Sequence, residues 1–95
     1  IAINPKREKD TSIVCAKAAD ELLTISDITA SFVLGDMGDK VCISGRSIGD
    51  VNVQVILEKL GGGGHITLAG AQVEGKDIEE VKGELIGCIA EYFSG

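Results

Sequence analysis

The sequence predicts a single small α/β domain in which a mixed β-sheet is packed with helices. Two observations predict it: apolar residues alternate with period two in some segments and recur with helical period in others, and the two kinds of segment follow each other along the chain. Ninety-five residues with 44% hydrophobic side chains are enough for one modest core. We therefore expect one domain over residues 1–95.

The first half of the chain predicts a strand, a loop, a helix and a β-hairpin. These elements are expected over residues 1–3, 6–10, 12–23, 28–34 and 40–46. The helix has an apolar stripe at helical spacing, preceded by the candidate N-caps Asp10, Thr11 and Ser12. The two alternating runs are separated by a Gly/Asp-rich turn, which is the pattern of a hairpin.

The second half predicts a helix, a glycine-rich loop, a short strand and a final helix. The elements other than the loop are expected over residues 52–60, over residues 71–73 and from residue 77 onward. Gly61 is the natural residue to end the first of these helices. Asp77 and Glu80 have the spacing of a capping box for the last. Gly83 and Gly87 inside that helix are expected to allow close approach to a neighbour.

The charge of the chain limits its partners. The net charge is −6 and the pI about 4.6, whereas duplex-binding proteins carry a basic face that displaces counterions. The cations at residues 6–9 are interrupted by Glu8, so no duplex DNA partner is expected. Charges nearly balance over residues 40–65, which is where we expect a small phosphorylated nucleotide to bind.

Cysteine spacing and hydropathy indicate a cytoplasmic location. Cys15, Cys42 and Cys88 are odd in number and widely separated, which favours buried reduced thiols over disulfides or zinc ligands. No run approaches the ~20 apolar residues of a membrane span, so no direct membrane contact is expected. Because the chain opens on Ile1 without Met, we expect a fragment of a longer protein. Its strand edge at Ile1 could pair with a second copy, as a homodimer.

The run Gly61, Gly62, Gly63, Gly64 and His65 is the conspicuous motif. Consecutive glycines suit a backbone that adopts unusual dihedral angles and approaches a ligand closely. Successive amides can form an anion-binding nest, to which a helical turn after His65 would add its dipole. The side chain of His65 can donate to phosphate or stack on a base. The alternative is that Gly61 caps the helix and the other glycines form a flexible connector.

Three further polar residues precede this run. Arg46 suits bidentate phosphate contact, and Ser47 is next to it. The alternative for Arg46 is a solvated surface side chain paired with Asp50. Asn52 at the helix start is most simply an N-cap. No group of carboxylates and imidazoles converges as a metal site requires, so we expect neither a bound metal nor a catalytic residue in this chain.

These motifs together resemble the DHHA1 domain of DHH-family phosphoesterases, and within that family the bacterial membrane-anchored cyclic di-AMP phosphodiesterases. The resemblance lies in Ser-x-Arg-Ser at residues 44–47, Asn-Val-x-x-Ile at residues 52–56 and the glycine run with His at residues 61–65. It extends over essentially the whole chain. The combination is specific, whereas a Gly-Gly-His triplet alone would be weak.

The resemblance implies a substrate-binding domain without its own catalytic centre. It implies that an N-terminal DHH domain in the parent chain holds Mn²⁺ and opens cyclic di-AMP to pApA. Residues 61–65 would hold phosphate and base, Arg46 and Ser47 would line the same cleft, and Asn52 would position the helix. The isolated chain would then bind nucleotide without hydrolysing it, and its parent would be membrane-anchored.

Two other functions stay open on the sequence. A relative acting on short oligoribonucleotides or phosphoadenosine phosphate, or an exopolyphosphatase-like protein, would carry a similar domain. A non-catalytic RNA-binding module is the second, because the C-terminal domain of alanyl-tRNA synthetases shares the fold. The acidic charge argues against that module.

Overall fold

The computed structural model describes residues 1–4, 11–25 and 28–94. Strands and helices are interspersed along this part of the chain. The elements are β1 (Ala2–Asn4), α1 (Thr11–Leu22), β2 (Ala30–Asp36), β3 (Lys40–Ser47), α2 (Val53–Glu58), β4 (Gly63–Gly64), β5 (Leu68–Glu74) and α3 (Ile78–Ser94).

The strands form one five-stranded sheet in the order β1-β2-β3-β5-β4. β1 pairs with β2 in parallel, and every other pairing is antiparallel. The sheet is therefore mixed, and the predicted α/β class is confirmed. β1 and β4 are its two edges.

The first face of the sheet is covered by α2 and α3 and contains the larger core. Alternate residues of β2, β3 and β5 point to this side. Its buried members are Phe32, Leu34, Val41, Ile43, Val51, Val53, Ile56, Leu57, Ala69, Ala71, Val81 and Leu85. Gly45 brings α2 close to the sheet, because a Cβ there would lie 3.2 Å from side-chain carbons of both Leu57 and Phe32.

The second face is covered by α1 over β2 and β3. A smaller core of Cys15, Ala19, Val33 and Cys42 lies beneath this helix. A buried hydrogen bond ties the helix down as well, since Ser31 Oγ donates to the Ala19 carbonyl at 2.7 Å. The residues of β5 on this face, among them Gly70 and Gln72, are exposed. Among the described residues, this face is thus covered at one end and left open at the other.

Most predicted elements are present within one or two residues of their expected bounds. The last strand, β5, is longer than expected, and β4 was not predicted. The expectation for Gly83 and Gly87 is wrong: a Cβ at either would meet no described atom within 4 Å. The loop expected at residues 6–10 and the N-cap candidate Asp10 lie outside the described residues.

Candidate functional site

The glycine run begins as the C-terminal cap of α2. Asn52 caps the other end of this helix, where its Oδ1 accepts the Val55 N–H at 3.1 Å. At the C-terminus the amides of Gly61 and Gly62 donate to the carbonyls of Glu58 and Leu57, at 3.1 and 2.9 Å. Gly61 has φ 84°. This is a Schellman motif, which requires a left-handed residue and favours glycine there.

Two of the following glycines are required by close contact with β5. A Cβ on Gly62 would lie 2.2 Å from the Gly70 carbonyl oxygen, and one on Gly64 would lie 2.4 Å from that of Leu68. Real Cβ atoms do not approach backbone oxygens so closely. The glycines therefore let the chain return along β5 as the edge strand β4, with Gly63 opposite Gly70 and Gly64 opposite Ala69.

Gly63 differs from the other three glycines. Its φ is not positive, and a Cβ at this position would have no described neighbour within 4 Å. Neither backbone conformation nor packing within the described part of the chain explains why this residue is glycine. Gly63 also lines the groove described below. A ligand that lies against the backbone there would explain why residue 63 is glycine.

A tight hairpin turn follows the run, so the predicted helical turn after His65 is wrong. The amide of His65 donates to the Leu68 carbonyl at 2.6 Å, and the Leu68 amide donates back at 3.3 Å. The turn is held from both sides, because the Ser47 and Val53 amides donate to the carbonyls of Thr67 and Ile66 at 2.9 and 3.0 Å. A helical turn is not compatible with this arrangement, because β5 pairs with β3 from Leu68 onward.

The amides of the run do not form the predicted nest. Those of Gly61 and Gly62 already donate to α2. Because hydrogen-bonded and non-hydrogen-bonded pairs alternate in an antiparallel ladder, the Gly64–Ala69 pair is of the second kind. The Gly64 amide therefore points outward from the edge of the sheet. The run offers one outward amide beside an open backbone rather than a ring of donors.

The groove lies where α1 leaves the second face of the sheet uncovered. Its volume is about 420 Å³. Its lining combines glycine backbone with polar side chains from α1, β3 and β5. The lining residues are Ser12, Cys42, Ile43, Ser44, Gly61, Gly62, Gly63, Gly70, Ala71 and Gln72. Hydroxyl, amide and backbone groups of this kind suit a polar, uncharged contact with a nucleotide.

The structure brings some of the predicted site residues together and separates others. Gly61, Gly62 and Gly63 line the groove, whereas His65 lies exposed in the hairpin turn beyond it. Arg46 is 9% exposed; its Nε donates to Asp20 Oδ1 and its Nη1 to the Gly45 carbonyl, both at 2.8 Å. The alternative of a solvated Arg46 paired with Asp50 is therefore wrong. Arg46 is not among the residues that line the groove; its ion pair with Asp20 joins β3 to α1.

Ser47 is likewise engaged within the fold. Its Oγ donates to the Val51 carbonyl at 2.7 Å and accepts the Gly49 amide at 3.0 Å. These bonds fix the connection that leads into α2. Ser47 also donates its amide to the hairpin turn, so it positions both segments that flank the glycine run.

Sequence reasoning missed three polar side chains of the groove. Ser12, Ser44 and Gln72 come from α1, β3 and β5, and residues 44 and 72 share the open side of the sheet with Gly70. Strand alternation placed Ser44 opposite the core side of β3. The same pattern could not predict that α1 leaves this face of β5 exposed.

The described residues offer no metal site or membrane span. Across residues 1–4, 11–25 and 28–94 no three His, Cys, Asp or Glu side chains are grouped to hold an ion. Within the same ranges, none of the helices has the length and hydropathy needed to cross a bilayer.

Comparison with known proteins identifies the family. The model of the DHHA1 domain matches residues 3–91. The chain therefore belongs to the DHHA1 domain family. It is 48% identical over its whole length to the cyclic-di-AMP phosphodiesterase GdpP of Geobacillus thermodenitrificans and 44% identical to that of Bacillus subtilis. It spans 15% of the length of each of these relatives.

A solved structure supports the fold. An exopolyphosphatase-related protein from Bacteroides fragilis superimposes with a TM-score of 0.68 at 25% identity. The match covers 78% of this chain and 22% of that protein. Over that 78% of the chain, the fold is thus shared with a larger protein.

Proposed function

We propose that this chain is the nucleotide-binding domain of a larger phosphodiesterase that hydrolyses cyclic di-AMP to pApA. The observation that carries the proposal is Gly63, a groove-lining glycine that the described fold does not require. The similarity to two cyclic-di-AMP phosphodiesterases over the whole chain supports the choice of ligand.

Each candidate residue has a part in this proposal. The backbone of residues 61–64 lies against the sugar-phosphate, with the outward Gly64 amide as a donor. The exposed imidazole of His65 contacts phosphate or base. Arg46 and Ser47 contribute indirectly. Arg46 joins β3 to α1 through its ion pair with Asp20, and the Ser47 amide fixes the hairpin turn by donating to the Thr67 carbonyl. Asn52 fixes the start of the helix that leads into the run.

The chemistry belongs to a part of the parent protein outside this chain. An N-terminal DHH domain would supply Mn²⁺, which activates water and stabilises charge on the phosphate. This domain alone would bind nucleotide and leave it intact. We further propose that the parent is membrane-anchored with this domain in the cytoplasm, and that the chain is able to form homodimers.

The test is an NMR titration of the ¹⁵N-labelled chain with cyclic di-AMP. We expect shifts at residues 61–65 and around Ser44 and Gln72. Gly63→Ala is expected to weaken binding about tenfold, equivalent to about 1.4 kcal/mol, because its Cβ projects into the groove. Gly87→Ala is the matched control, since Gly87 also has open space around it but lies on α3. Equal affinity of the two variants would refute the role of Gly63.

A second candidate is a domain for linear substrates, favoured by the similarity to the exopolyphosphatase-related protein. Titration with pApA and with a short polyphosphate separates the two. Tighter binding of pApA than of cyclic di-AMP would favour a short-oligoribonucleotide enzyme. Binding of polyphosphate alone would favour the exopolyphosphatase-like function.

A further inference from the structure

Two buried cysteines meet between α1 and β3. Cys15 and Cys42 are 0% and 3% exposed, and their Sγ atoms lie 3.8 Å apart. A disulfide needs about 2.0 Å between sulfurs, so the two thiols are separated from bonding distance by roughly 2 Å. Formation of a disulfide therefore requires the two side chains to move toward each other.

Gly35 creates the space in which the two sulfurs meet. It lies opposite Cys42 in the β2–β3 register. A Cβ on Gly35 would lie 2.5 Å from Cys15 Sγ and 3.3 Å from Cys42 Sγ. The two thiols, together with the Thr11 methyl group at 2.4 Å, thus occupy the volume that any side chain at residue 35 would take. The proximity of the pair is built into both the helix and the sheet.

The two cysteines differ in their access to solvent. Cys42 lines the groove, whereas Cys15 is not in its lining and lies on the buried side of α1. A small reagent that enters the groove therefore reaches Cys42 first. Cys88 lies apart from this pair, on α3 against the first face of the sheet. Partial burial also raises the pKa of the Cys88 thiol, which disfavours its reactive thiolate.

We propose that Cys15 and Cys42 are a modification site that a small disulfide oxidant converts to an intramolecular disulfide. The Cys42 thiolate attacks one sulfur of the oxidant and expels the other as a thiolate, leaving a mixed disulfide. Cys15, as its thiolate, then attacks the Cys42 sulfur and expels the second half. Two protein thiols are oxidised, one oxidant disulfide is reduced to two thiols, and the two protons pass to the leaving thiolates.

The cross-link would join α1 to β3, two of the elements that line the groove. Ser12 lines the groove and lies one helical turn before Cys15, while Cys42 is itself part of the lining. Joining α1 to β3 also closes the chain between residues 15 and 42. We expect the oxidised form to melt roughly 5–15 °C higher than the reduced form, because the unfolded chain is constrained. This proposal does not depend on the proposed function.

The test uses the Cys88→Ala variant and one equivalent of 4,4′-dithiodipyridine. Expected are two equivalents of released thiopyridone per protein, the loss of two hydrogen atoms from the protein mass, and a linked peptide pair containing Cys15 and Cys42. Release of one equivalent, with a mixed disulfide that persists on Cys42, would overturn the proposal. A cross-link that forms only in urea would overturn it equally.

Two double variants assign the order of the two steps. In Cys15→Ala/Cys88→Ala we expect the reaction to stop at the Cys42 mixed disulfide, with one equivalent released. The reciprocal Cys42→Ala/Cys88→Ala variant should react at least about tenfold more slowly, because Cys15 is not in the groove lining. Equal rates for the two variants would contradict the access through the groove.

Discussion

The two faces of the sheet are covered to different extents. The first face is covered by α2 and α3 over the central strands, and its core contains the large buried aliphatic side chains, among them Leu34, Ile56 and Leu85. The second face has one helix over β2 and β3, a core of small residues, and an exposed surface over β5.

The difference separates stability from binding. Burial of apolar surface, which is the main stabilising contribution, is concentrated on the first face. In the described part of the chain the second face leaves room for a ligand beside β5, because α1 packs mainly on β2 and β3. The glycine run joins the two regions, since it begins as the cap of α2 and ends as the edge strand beside the groove. Substitutions should therefore affect stability or binding according to the side on which they lie.

The largest expected effect is on the first face. Leu85→Ala should lower the free energy of unfolding by about 2–5 kcal/mol, because it leaves a cavity beneath α3. Ile86→Ala is the matched control on the same helix, since Ile86 is 48% exposed and Leu85 is 0% exposed. Urea unfolding measures both. A loss below 1 kcal/mol for Leu85→Ala would mean that the core does not depend on α3 as described.

A smaller effect is expected where the two regions meet. Gly62→Ala should cost about 1–3 kcal/mol, because its Cβ overlaps the backbone of β5. Gly63→Ala should change stability by less than about 0.5 kcal/mol, because its Cβ has open space. Thermal unfolding of the two variants tests the difference. If both were equally destabilised, the glycines would share one structural role and the special status of Gly63 would be lost.

Sequence patterns predicted the elements well because periodicity is a local property. Alternation over β2 and β3 and helical spacing over α2 depend on neighbours within a few residues. β4 escaped prediction because two glycines carry no side-chain pattern. The helical turn expected after His65 is absent because β5, which follows it, pairs with both β3 and β4.

The site was less predictable because its contacts join distant residues. Arg46 was recognised as a residue of interest, but its burial depends on Asp20, 26 positions away in the sequence. The groove itself arises because α1 packs on β2 and β3 and leaves β5 exposed. That is a property of tertiary packing, so Ser12, Ser44 and Gln72 could not be grouped from spacing alone.

The smallest effect is expected for the ion pair on the second face. Asp20→Asn removes the carboxylate that accepts from Arg46 Nε at 2.8 Å. The Asp20 side chain is 63% exposed, so solvent screening limits the expected loss of stability to about 0.5–1 kcal/mol. Glu21→Gln, an exposed neighbour on α1, should have less effect. Urea unfolding at low and high salt checks both variants, because screening should narrow the gap between Asp20→Asn and the unsubstituted chain. A loss above 2 kcal/mol for Asp20→Asn would mean that α1 depends on this pair more than on its small apolar core, and the second face would then be held chiefly by charge.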